Sequence, residues 1–111
     1  MHALDGKLYF RGYDGSEYEL YVYDPDNGAT TAVASADKNS SGSTAPRYMQ
    51  PLKGKLYFRG TADSAEYELY VYDPDTGATT AVASADKNGS GSTFPTYMHD
   101  LDGKLYFSGT D

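Results

Sequence analysis

The chain has 111 residues, a net charge of −7, no Cys, no Trp and 12 Tyr, which is one domain's worth of polypeptide able to bury about two-thirds of its unfolded surface. An acidic balance with scattered basic residues argues against a nucleic-acid partner, whose phosphates need clustered Lys and Arg, and equally against anionic membrane surfaces. No apolar run approaches the roughly 18 residues of a membrane span, no signal peptide is read ahead of Met1, and the lack of Cys excludes disulfides and thiolate metal sites while leaving the redox compartment open.

The amino-terminal MHALDG leads through Asp5-Gly6, a two-residue hairpin signal, into GKLYFRG (6–12), where Leu8 and Phe10 alternate with Lys7, Tyr9 and Arg11. After a polar loop, EYELYVYD (17–24) alternates again, with Tyr18, Leu20 and Val22 against Glu19, Tyr21 and Tyr23. DPDNG then reads as a turn. Pro25 presets φ, Asp24 accepts backbone bonds and Gly28 admits positive φ, which accounts for these carboxylates without a metal. TTAVAS (30–35) is expected as a short outer strand, DKNSSGSTAP (37–46) as a connector, and RYMQPLKG (47–54) as a fourth strand turning into the next GKLYF.

The order then repeats. GKLYF stands at 6–10, 54–58 and 103–107, spaced 48 and then 49 residues apart, and EYELYVYDPD and GATTAVASADKN recur unchanged. Such a period of about 40–50 residues points to propeller blades or similar stacked units, and four short antiparallel strands per period make one blade. The expected fold is all-β: β-propeller blades of four antiparallel strands, about two and a half per chain, closed by oligomerisation. The divisions are 1–46 and 47–95 as blade repeats and 96–111 as a half blade, an inner hairpin. Copies this similar arise by recent duplication or by design.

At these residues the sequence resembles a bacterial ELW-type propeller repeat, which reads GKLYF, a polar loop, ELW with a Gly-containing turn, a short strand and a D-x-N-P-G-G-S-x-S-P connector. Here GKLYF is intact, ELY (Glu19 to Tyr21 and Glu68 to Tyr70) stands for ELW, and DKNGSGSTFP occupies the connector's place. The resemblance spans nearly the whole chain and implies the blade fold, with Tyr21 and Tyr70 packing between blades. It implies no particular activity. For a natural chain of this kind an extracellular or cell-surface setting is expected.

Several residue groups compete as sites. Asp37 and Asn39, and Asp86 and Asn88 in the second copy, open as a calcium loop would, but the twelfth position from each Asp is Tyr48 or Tyr97 rather than a carboxylate. The connector reading is therefore favoured, no cofactor is expected, and calcium is kept as the lesser alternative. Tyr48 and Tyr97, with His99 and Asp100, form a candidate ligand-binding set able to stack on a sugar and bind its hydroxyls; blade packing is the plainer role. His2 and His99 occupy equivalent positions, filled by Gln50 in the middle copy. Arg11 with Glu17 or Glu19, and Arg59 with Glu66 or Glu68, are expected to pair across their hairpins. No nucleophile, base and orienting acid fall together, so an enzyme is not expected.

The leading functional expectation is a non-catalytic propeller module that self-assembles with copies of itself, a trimer or tetramer giving six or eight blades. The surplus half blade is expected to swap, pairing with residues 17–24 of a neighbouring chain. The alternative is a lectin-like, glycan-binding surface or secreted protein. Neither nucleic acid nor membrane insertion is expected.

Overall fold

The computed structural model describes residues 2–39, 42–63, 66–85 and 93–109. The strands are β1 (His2–Leu4), β2 (Lys7–Tyr13), β3 (Tyr18–Asp24), β4 (Ala29–Ala32), β5 (Arg47–Leu52), β6 (Lys55–Thr61), β7 (Tyr67–Asp73), β8 (Ala78–Ala81), β9 (Thr96–Leu101) and β10 (Lys104–Ser108). They form three antiparallel meanders: β1-β2-β3-β4, β5-β6-β7-β8 and the two-stranded β9-β10. Among the described residues no helix is long and apolar enough to cross a membrane.

Local chemistry explains the hairpins. Asp5-Gly6, Lys53-Gly54 and Asp102-Gly103 each place two successive residues at φ between 51° and 76°, the type I′ geometry whose twist matches that of the flanking strands. Those turns set Leu4 opposite Lys7 and Leu52 opposite Lys55; in the next ladder of the first sheet Leu8 faces Tyr23 and Phe10 faces Tyr21, and in the second sheet Leu56 faces Tyr72 and Phe58 faces Tyr70. Both copies thus carry their aromatic pairs on one face and a second apolar set, Tyr9, Leu20 and Val22 or their equivalents, on the other.

The TTAVAS run departs from a single strand. Pairing stops at Ala32, the Val33 N–H donates to the Leu20 carbonyl at 2.9 Å, and Ala34–Ala36 turns as one 3-10 unit. The second copy does the same, with Val82 donating to Leu69 at 2.9 Å and Ala83–Ala85 turning. The turn has a physical reason: it drops both Val33 and Ala36 into the core, whereas a straight strand would send alternate residues to opposite faces.

The core lies between the first and second sheets. Leu4, Tyr9, Leu20 and Val22 of the first meet Leu56, Phe58, Tyr70 and Tyr72 of the second, with Tyr9 and Tyr72 ring centroids 5.8 Å apart. Leu20, Leu56 and Phe58 are fully enclosed. At the rim, the Ser35 and Thr79 hydroxyls share a hydrogen bond of 2.8 Å. The leading strands β1, β5 and β9 run beside one another with β5 in the middle. Burial of Tyr9, with Tyr72 beside it, pushes its phenol up to about 12, so the ring stays neutral throughout the working pH range.

Candidate functional site

Two open faces flank this stack. The first sheet's outer face carries Leu8, Phe10 and Tyr21, which are only half-buried, although their equivalents Leu56, Phe58 and Tyr70 are sealed. Phe10 stacks on Tyr21 at 5.9 Å, the same separation as Phe58 on Tyr70. At the other end, Leu101 and Tyr106 are 59% and 54% exposed, while their equivalents Leu4 and Tyr9 are buried. The chain therefore presents to solvent both halves of the interface it buries internally.

A second cluster is aromatic. Tyr48 and Tyr97 each stand second in a leading strand, at φ 54° and 53°, inside bulges that shift the register of β5 and β9. A bulky residue in that region is uncommon. The two rings come to 6.1 Å, and Tyr97 is 73% exposed. Beneath them the Arg59 guanidinium lies over Tyr48, Tyr67 and Phe94 at 4.9, 5.0 and 4.9 Å. Its Nε is buried with no hydrogen-bond acceptor among the described residues, so the ring faces provide its stabilisation. Nearby, a cavity of about 360 Å³ is bounded by His2, Phe10, Arg11, Arg47 and Tyr48. Burial pulls the His2 imidazole below its ordinary value.

Of the expected ligand set, Tyr48 and Tyr97 are brought together, and Asp100 is tied to the neighbouring strand by a 3.3 Å bond from Gln50 Nε2. His99 is not part of that group. It pairs with Tyr106 in the ladder while Asp100 pairs with Leu105, so the alternation of the strand turns its side chain to the other face. His2 is likewise separated from His99 by β5.

Register corrects the expected Arg11–Glu19 and Arg59–Glu68 pairs. Arg11 faces Leu20 and Arg59 faces Leu69, whereas Glu19 and Glu68 face Gly12 and Gly60, which puts the acids on the opposite side of the sheet from the arginines. Arg11 lies instead over the Tyr18 ring at 4.8 Å. An ion pair at this sheet joins Lys7 to Asp24 at 3.9 Å.

The connector after Asp37 is clamped to β3. Glu19 Oε1 accepts the Thr44 N–H at 3.1 Å, Ser43 Oγ accepts the Tyr18 N–H at 2.8 Å, and the Ala45 N–H donates to the Tyr18 carbonyl at 3.1 Å. Glu68 Oε1 likewise accepts the Thr93 N–H at 2.8 Å. Asn39 is buried and donates to the Ser43 carbonyl at 3.0 Å, so its amide holds the connector in shape. Asp37 stands with Glu17 and Glu19, one carboxylate oxygen from each lying within 4.8 Å of the others. Glu19 is only 7% exposed, and its Oε2 has no hydrogen-bond partner among the described residues. Burial, with Asp37 and Glu17 adding to it against the pull of Thr44, raises its carboxyl to about 7. Asp86 and Asn88 lie outside the described residues.

Sequence reasoning missed the Arg59 cage and the contribution of Glu17 and Glu19 to the Asp37 group. The first depends on bulges at Tyr48 and Tyr97, the second on a connector folding back over β3, and neither leaves a linear motif. Searched against protein-family models, curated proteins and solved structures, the chain has no significant match in any of the three.

Proposed function

We propose that the three sheets are blades of a β-propeller that closes by association of several copies of this chain, a non-catalytic, self-assembling module. The observation that carries this reading is the equivalence of buried and open faces. Leu8, Phe10 and Tyr21 at one end, and Leu101 and Tyr106 at the other, repeat the residues that meet between the first and second sheets. A face complementary to one elsewhere on the same molecule makes a head-to-tail contact, which yields a ring when the rotation closes. The side-by-side leading strands agree with the arrangement of blades about an axis. With two complete sheets per chain, and the half sheet sharing a blade with the next copy, three or four copies give six or eight blades, within the usual range of about four to eight. Light scattering tests this: a trimer or tetramer mass supports it, and a monomer across the accessible concentration range rejects it.

A second reading, a glycan-binding surface, draws support from one feature. Tyr48, Phe94 and Tyr97 form an exposed aromatic platform held from below by Arg59, of the kind on which a sugar ring can stack. A glycan array probed with the assembled protein, with Tyr97→Ala as control, decides it: binding lost in the variant supports this reading, and absence of signal removes it.

A further inference from the structure

The third sheet stops at two strands among the described residues, and its hairpin leaves a vacancy of definite shape. Between it and the second sheet lies a cavity of about 410 Å³, walled by Leu52, Tyr57, Leu69, Val82, Leu105 and Phe107. Each of these is the repeat equivalent of a residue in the first inter-sheet core: Leu4, Tyr9, Leu20, Val33, Leu56 and Phe58. What that core has and this cavity lacks is the pair Tyr70 and Tyr72, both on β7. The strand that would supply such a pair belongs against β10, whose outer edge has no ladder partner among the described residues.

From this we infer that β10 pairs with β3 of a second copy of the chain, and that Tyr21 and Tyr23 of that copy fill the cavity. The inference rests on the self-assembly reading and specifies its seam. Register defines the contact. In both complete sheets the GKLYF strand sets its Leu opposite the second Tyr and its Phe opposite the first. The same pairing puts Leu105 opposite Tyr23, Phe107 opposite Tyr21 and Lys104 opposite Asp24, repeating the Lys7–Asp24 ion pair. Tyr106 and Leu101 then take the places of Tyr9 and Leu4 against the second copy's Tyr72.

For this to happen β3 must give up β2 of its own chain, and the two hairpins competing for it are unequally held. The carboxy-terminal one is anchored to the second sheet. The Phe94 N–H donates to the Tyr67 carbonyl at 3.0 Å, Thr93 bonds Glu68 at 2.8 Å, and the Phe94 ring meets Tyr67 at 5.1 Å. The strand exchanged is nearly the same GKLYF sequence in either case, so the two pairings are close to equal along the ladder. The exchange bares the β2 edge as it covers that of β10, so the edges balance, and the difference is that the exchanged form fills the cavity.

The chain has no Cys, which makes cross-linking a clean test. A Lys104→Cys chain and an Asp24→Cys chain are mixed unfolded, refolded together and oxidised. Directly opposed strand residues sit about 4.5–5.5 Å apart at Cα, within disulfide reach, so a covalent dimer of the two chains is the expected main product. Tyr106→Cys with Val22→Cys, also opposed in this register, repeats the test should loss of Asp24 impair folding. A Lys7→Cys/Asp24→Cys chain should stay unlinked within the ring. Ring mass with the Lys7–Asp24 link formed and no link between chains overturns the exchange while leaving self-assembly intact. A monomeric mass in every variant and in the parent rejects both.

Discussion

Phe58 lies against Tyr70 with ring centroids 5.9 Å apart and planes inclined by 20°, and the second sheet's position seals both rings from water. Phe10 and Tyr21 reproduce that stack to the same distance and angle, yet one side of theirs is open. The same side-chain pair is thus core in one copy and surface in the other, which makes it a probe of assembly. Tyr70→Ala should cost about 3–5 kcal/mol, as expected for truncating an enclosed aromatic ring. Tyr21→Ala should cost the dissociated chain less than about 1 kcal/mol but shift it away from the ring form. Urea unfolding at low concentration, with mass measured at high concentration, checks both. Equal losses in the dilute chain would mean the first sheet's outer face is already covered within one chain.

Arg59 supplies a second prediction. With its guanidinium over three rings at about 5 Å and cation–π contacts contributing about 0.5–2 kcal/mol each, Arg59→Ala should destabilise by about 2–4 kcal/mol. Arg11, exposed and over one ring, should cost less than about 1 kcal/mol on the same change. Denaturant titration of the two variants distinguishes them. Similar small losses at both positions would mean that the cage contributes nothing.

The contrast between those arginines also marks how far the sequence could be read. Strand existence and turn type were legible because both are local: period-2 alternation around Leu8 and Phe10, and Asp-Gly or Lys-Gly where two positive φ values are needed. The same alternation predicts the face of each residue, and applied strictly it would have placed Arg59 beside Leu69 rather than beside an acid. Cross-strand charge pairing was inferred from proximity in the hairpin, where register decides the face. The turn at Val33 was not legible, because Thr and Val favour strands locally and only the core behind them gives a reason to stop. Nor were the bulges at Tyr48 and Tyr97, where a ring is held at positive φ by contacts with distant residues. Of the candidate ligand set, the repeat puts the two tyrosines at equivalent positions, where their rings approach each other, whereas the alternation after the bulge turns His99 and Asp100 to opposite faces.

Glu19 predicts how stability varies with acidity. Its carboxyl sits near 7 in the folded chain, raised chiefly by burial, against an ordinary value of about 4.3 when unfolded. Between those values the folded chain binds the extra proton, so stability is highest on the acid side and falls as pH rises from about 4.5 to 7. Thermal melts across that range should show the melting temperature falling with rising pH. Glu19→Gln keeps an oxygen for the Thr44 N–H and removes the charge, and it should flatten the profile and raise the melting temperature at pH 8. A profile that rises with pH in the parent chain and is unchanged in the variant would refute this account.

The same carboxylate tests the calcium alternative. Glu17, Glu19 and Asp37 offer oxygens within 4.8 Å of one another, close enough for a shared cation, but Glu19 holds its charge down by taking a proton, and its other oxygen is engaged by the Thr44 backbone. A cation would have to displace that proton and would gain only the half-buried Glu17 and the exposed Asp37 carboxylates beside it. A ligand that binds only the folded state stabilises by RT ln(1 + [L]/Kd), so 10 mM calcium at a Kd of about 1 mM would add about 1.4 kcal/mol, which for a chain of this size is a shift of roughly 5 °C. Melting temperatures at pH 6 with calcium and with chelator should agree within about 2 °C, a difference that weak binding of that order would already exceed. A shift of about 10 °C on adding calcium, abolished by Glu19→Gln, would make the connector a metal site and remove the proton from its role there.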